Sequence, residues 1–238
     1  MKNTNSYQTR RGLFTLLSIV LIASACAHAE KKTEAAVPIA PAKKEIVFIN
    51  GSHLDETSWF EVVRILGTEK YSALALPRLG RDEVGPSSLA KIAELSCAQL
   101  KAPSTLVVHS FGGAIANAMY GVCPEKFAGI VYVSALIPAS GETPMALLKG
   151  VDQKTYMAAV KMEKGRIVPR SQKKLLQALD SGINPNTLIL PKVYSESMAV
   201  NADVVQFDYV KMQSVPKFYI FTENDKVLPL SLQKKYVE

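Results

Sequence analysis

The stretch that most constrains this chain is Thr105-Leu106-Val107-Val108-His109-Ser110-Phe111-Gly112-Gly113-Ala114-Ile115-Ala116. It begins with an apolar, β-branched run, which predicts a buried strand. The run stops at His109-Ser110. Two glycines follow, and Ala114-Ile115-Ala116-Asn117-Ala118-Met119-Tyr120 is compatible with a helix. Strand, sharp turn with serine at its apex, then helix is the layout of a nucleophile elbow. The helix N-terminus favours developing negative charge beside the serine. The usual pattern is G-x-S-x-G; here Val108 stands at the first glycine and Gly112 keeps the second, with Gly113 beside it. A strand followed by an N-capping serine gives the same string, so the rest of the chain must decide between the two.

With 238 residues and 48% hydrophobic content, one substantial core can be buried, and a single domain is expected. Residues 1–29 carry Lys2, Arg10 and Arg11 and no acid, so the remainder holds 25 Lys and Arg against 21 Asp and Glu. That mild excess, with no basic run and no interleaving of aromatic and basic residues, argues against nucleic-acid binding.

The N-terminus reads as a targeting segment. Lys2, Arg10 and Arg11 form a positive region, residues 13–25 are apolar but too short to span a membrane, and Ala27-His28-Ala29 offers a cleavage site. We expect a signal peptide over residues 1–29 and an exported protein, periplasmic or secreted. A competing reading takes Ala23-Ser24-Ala25-Cys26 as a lipoprotein box, which would put the protein on a membrane only through a lipid at Cys26. Thr9-Arg10-Arg11-Gly12-Leu13-Phe14 also has the look of a twin-arginine signal. Residues 30–44, rich in Ala, Lys and Pro, read as a flexible spacer.

From residue 45 onward strands and helices alternate. Strands are expected over 45–50, 72–76, 105–108, 128–136 and 217–222, with helices over 59–66, 87–100 and after the elbow. This rhythm predicts an α/β fold, a mostly parallel sheet with helices on both faces. It breaks over about 137–216, where helical patterns such as 155–160 and 173–179 occur without a convincing strand. We expect a helical cap over the carboxyl edge of the sheet.

Several segments now carry a resemblance: Ile49-Asn50-Gly51-Ser52 with Trp59; Leu76-Pro77-Arg78-Leu79-Gly80-Arg81-Asp82; Val108 to Gly113; and Phe221-Thr222-Glu223-Asn224-Asp225 with Leu228-Pro229. Over residues 45–238 the chain resembles the α/β-hydrolase superfamily, and within it the small-esterase branch of plant methylesterases, plant hydroxynitrile lyases and bacterial relatives. The resemblance implies that Ser110 is a nucleophile and that the backbone N–H groups of Ser52 and Phe111 form an oxyanion hole. It implies that Asp225 is the acid orienting a catalytic histidine, with Glu223 as the alternative. The family has histidine where this chain has Asn50.

The histidine itself is not where the resemblance puts it. The chain has His28, His53 and His109, and none follows Asp225. His28 belongs to the leader, His109 reads as a packing residue, and His53 lies beside the oxyanion loop. In the family a further strand, a loop bearing histidine and a closing helix come next, so we expect the sequence to be cut short at its C-terminus. As it stands it should be inactive and poorly soluble. Cys97 and Cys123 are placed at the same end of two helices flanking the elbow strand; they could pair in an oxidising compartment or remain separate buried thiols.

The resemblance thus implies a serine hydrolase that cleaves small carboxylic esters through an acyl-enzyme. A non-catalytic ligand-binding relative is the main alternative. Cyanohydrin cleavage is a third, whose branch has threonine where this chain has Gly51. No metal cluster or dinucleotide glycine pattern is visible, and ester hydrolysis requires no cofactor.

Overall fold

The computed structural model describes residues 45–67, 71–75, 88–179 and 191–238. The expected leader with Cys26, the expected spacer, and the motif at 76–82 lie outside these residues.

In chain order the elements are β1 (Glu45–Ile49), α1 (Phe60–Leu66), β2 (Tyr71–Ala73), α2 (Leu89–Gln99), β3 (Ser104–His109), α3 (Gly112–Val122) and β4 (Phe127–Val133). Then come α4 (Lys154–Ala159), β5 (Val160–Glu163), β6 (Arg166–Pro169), α5 (Gln172–Leu179), β7 (Glu196–Ser197), α6 (Met198–Ala202), α7 (Tyr209–Met212), β8 (Lys217–Ile220) and α8 (Leu230–Lys235). The main sheet has the order β2-β1-β3-β4-β8, and every pairing in it is parallel. Parallel strands need crossovers, which the intervening helices supply.

The expected strands and helices are present with shifted ends, each for a local reason. A short 3-10 turn over Glu56–Trp59, capped by the Asp55 carboxylate on the Thr57 N–H, precedes α1. Ser88 caps α2 by accepting from the Lys91 N–H at 3.1 Å. The strand expected over 128–136 stops at Val133 because Ser134 adopts φ 40°, outside any strand geometry. Leu89, Ile92 and Ala93 face the core from α2, as their spacing requires. Residues 112–120 of α3 are all buried, so this short-side-chain helix lies inside the protein. The sulfurs of Cys97, late in α2, and Cys123, at the end of α3, are joined, with Cα atoms 6.2 Å apart.

The cap departs from expectation. It is not purely helical: β5, β6 and β7 form a three-stranded antiparallel sheet. Of Val160-Lys161-Met162-Glu163 only Val160 is buried, so the alternation that marks a half-buried strand is barely written there. The legible signal was the turn. Lys164 and Gly165 have φ 49° and 73°, the two positive angles of a tight hairpin. Ala159, Val160, Ile167, Leu175 and Ala178 form a small core belonging to the cap. The later cap residues Val200, Val205, Met212 and Val215 instead join the main core.

β8 is the outer strand of the main sheet among the described residues. Its Phe218 and Ile220 are 68% and 51% exposed.

Candidate active site

β3 delivers Ser110 to the carboxyl edge of the sheet and α3 carries the chain away. Ser110 has φ 54°, a left-handed conformation that is strained for a residue with a side chain. Three backbone bonds hold it there. Its N–H donates to the Val133 carbonyl at 3.3 Å, and its carbonyl accepts from the N–H groups of Gly113 at 3.1 Å and Leu136 at 3.0 Å. The turn closes only because Gly113 lacks a side chain: a Cβ there would sit 2.3 Å from the Leu136 carbonyl oxygen. The elbow reading of this stretch therefore fits the geometry, and a plain N-capping serine does not: α3 has no side-chain cap.

The loop after β1 lies against this turn. A Cβ at Gly51 would come within 2.8 Å of the Ser110 Cβ and 3.1 Å of the His109 carbonyl. Any larger residue, including the threonine of the hydroxynitrile lyase branch, would require the loop to move. Asn50, fully buried, shapes the loop by donating to the carbonyls of Leu54 at 2.6 Å and Gly51 at 3.1 Å. The amide thus closes the loop in the position where the family has histidine. Ser52 follows Gly51 and Phe111 follows Ser110, so both backbone N–H groups adjoin the Gly51–Ser110 contact.

Asp225 lies in the turn after β8. Its Oδ1 accepts from the Val227 and Leu228 N–H groups, each at 2.8 Å. Its Oδ2 accepts from the hydroxyls of Ser134 at 2.5 Å and Thr222 at 3.2 Å. Gln233 of α8, fully buried, clamps the same turn: its amide NH2 donates to the carbonyls of Thr222 and Leu228 at 2.9 and 2.6 Å, and its oxygen accepts from the Thr222 N–H at 3.0 Å. Glu223, the alternative acid, is exposed. Register places His109, Val133 and Ile220 side by side, so the turns bearing Ser110, Ser134 and Asp225 leave the sheet at one edge. Ser134 and Gln233 carry no local signal of this role; only the folded contact reveals it.

A cleft of about 750 Å³ opens at this edge, lined among others by Trp59, His109, Ser134, Asp225 and the cap residues Leu176 and Leu179. Its size suits a small ligand. A larger groove of about 970 Å³ runs along β8 and α8 past Tyr132, Phe207, Tyr219 and Tyr236, away from Ser110 and Asp225. Chemistry, not volume, singles out the smaller cleft.

The four hydrogen-bond partners of the Asp225 carboxylate among the described residues include no imidazole, although His109 lines the same cleft. His109 stands edge-on to Trp59, with ring centres 6.4 Å apart. His53 is fully buried, and both of its ring nitrogens are engaged by residues of the cap. It is not available as a base for Ser110.

Residues 46–235 match the Alpha/beta hydrolase family, and the chain belongs to that family. A pimeloyl-[acyl-carrier protein] methyl ester esterase of Wigglesworthia glossinidia brevipalpis is 34% identical over 92 residues, spanning 38% of this chain. That stretch is only 36% of the relative's own length. Among solved structures, a pyrethroid hydrolase from Sphingobium faniae JZ-2 is similar at TM-score 0.67 and 19% identity, covering 81% of this chain and 83% of the hydrolase. Polyneuridine aldehyde esterase is similar at TM-score 0.62 and 18% identity, covering 82% of this chain and 86% of its own. At such identities these two likenesses speak for the fold.

Proposed function

We propose that this chain is a serine hydrolase scaffold for small carboxylic esters, with Ser110 as nucleophile. The observation that carries the reading is Ser110 itself, held at φ 54° between strand and helix with Gly51 backed against its Cβ. In this reading the Ser110 Oγ attacks an ester carbonyl held in the cleft. The oxyanion is received by the N–H groups of Phe111 and Ser52, each such donor being worth about 3–4 kcal/mol of barrier. The alcohol leaves, and water releases the acid from the acyl-Ser110. Asp225 is the orienting acid of an imidazole that takes the Ser110 proton. The methyl ester esterase named above supports an ester as the substrate class. The leader supports export, with lipid anchoring at Cys26 as the variant; no cofactor enters the scheme.

Among the described residues no imidazole is bonded to Asp225. We therefore infer that this polypeptide binds esters but does not turn them over unaided. The same observation favours a second reading, a non-catalytic ligand-binding relative. Added imidazole separates the two, since Asp225 lines the cleft. With p-nitrophenyl acetate, the hydrolase reading predicts an imidazole-dependent burst that Ser110→Ala abolishes. A rate identical to that of Ser110→Ala at every imidazole concentration would favour the ligand-binding reading.

A further inference from the structure

We propose that His53 is a positioning residue through which the cap sets the place of the Ser52 N–H beside Ser110. The inference rests on the reading of Ser52 as an oxyanion donor.

His53 has φ 64°, a conformation that is strained for a residue with a side chain unless its surroundings hold it. It is also fully buried, in the middle of a loop. Every polar atom it has is bonded to the cap. Its N–H donates to Glu196 Oε1 at 2.6 Å, and its carbonyl accepts from the Tyr194 N–H at 2.9 Å. Nδ1 meets the Tyr194 carbonyl and Nε2 the Tyr156 hydroxyl, each at 2.7 Å. A carbonyl only accepts, so Nδ1 carries the proton, and in the neutral ring Nε2 accepts from Tyr156. Burial, with the Glu196 carboxylate nearby, holds the Tyr156 phenol well above its ordinary pKa, so it stays a donor. Two residues on, Asp55 Oδ2 accepts from the Tyr194 hydroxyl at 2.7 Å.

The loop is therefore gripped at two ends. Gly51 abuts Ser110, with no room for a Cβ. His53 is gripped by α4, by the segment at Tyr194 and by β7. Ser52 lies between them, and its N–H can be displaced only by shifting one grip or the other. Movement of the cap, which covers the cleft, is thereby coupled to the oxyanion site rather than independent of it.

The test uses the full chain and amide exchange by NMR. The Leu54 N–H donates to the Gly51 carbonyl and closes the loop around Ser52, so its exchange reports the loop. Tyr156→Phe and Glu196→Ala should each speed Leu54 exchange about tenfold, while amides of Val108 and Ile130 in the sheet keep their rates. Glu196→Gln keeps an acceptor for the His53 N–H and should behave as the parent. His53→Asn tolerates the positive φ and keeps a donor near Nδ1 but loses the partner of Tyr156, so adding Tyr156→Phe to it should change nothing further. Acceleration confined to the cap, or additive effects in the double variant, would overturn the proposal. Imidazole-dependent labelling of Ser110 by a fluorophosphonate is followed in parallel. Its absence from the parent would refute the hydrolase reading and leave the coupling measurement standing.

Discussion

Ser134 donates its hydroxyl to Oδ2 of Asp225 at 2.5 Å, joining the end of β4 to the turn after β8. Ser134 is itself buried and bent to φ 40°. Its hydroxyl is one of four donors on Asp225, so Ser134→Ala should cost about 1–2 kcal/mol in urea unfolding. Ser134→Gly also loses the hydroxyl but relieves the backbone, and should cost less than alanine. Alanine as stable as the parent, or glycine worse than alanine, would contradict this account of the turn.

Gln233 holds the same turn from the other side. Gln233→Leu leaves the N–H and carbonyl of Thr222 and the carbonyl of Leu228 without their partner, a loss of about 2 kcal/mol or more. Gln233→Glu keeps the acceptor for Thr222 but turns an oxygen toward two carbonyls, and should be no better than leucine. Denaturant midpoints of the three proteins check the order.

Sequence and structure part company in a consistent way. The strands of the main sheet, the elbow at Ser110 and the turn at Asp225 are written locally, in apolar runs ended by Gly or by short polar turns. Contacts across the chain are not. His53 meets Tyr156, Tyr194 and Glu196 from 103, 141 and 143 residues away, and no spacing rule links them. Gln233 looks like any polar helix residue until its amide is seen inside the Thr222–Leu228 turn. The β5–β6 hairpin is hard to read in the sequence because three residues of its first strand face water. The pairing of Cys97 with Cys123 was open in the sequence because helix ends can be placed only approximately, and sulfur pairing depends on a few ångströms.

That disulfide closes a loop between residues 26 apart and should contribute about 3 kcal/mol by loop entropy. Chain recovered from an oxidising compartment should show no free thiol from these two cysteines when denatured without reductant, and reduction should lower its urea midpoint. Two titrating thiols, or equal midpoints, would contradict the pairing.

The outer edge of β8 predicts association. Phe218 and Ile220 project from a strand with no further partner among the described residues. The 238-residue chain should self-associate in light scattering at micromolar concentration, and Phe218→Lys with Ile220→Lys should shift it toward monomer. A parent chain already monomeric under those conditions would contradict the prediction.

We propose that Ser110, held at φ 54° on its turn, is a nucleophile. Peptide mapping after treatment with a fluorophosphonate and imidazole tests it most directly. One modified peptide is expected, carrying the adduct on Ser110, with labelling that rises with imidazole. It should be lost in Ser110→Ala and strongly slowed in Gly51→Ala, whose new Cβ displaces the loop. An adduct on another residue, or labelling that survives Ser110→Ala, would contradict it.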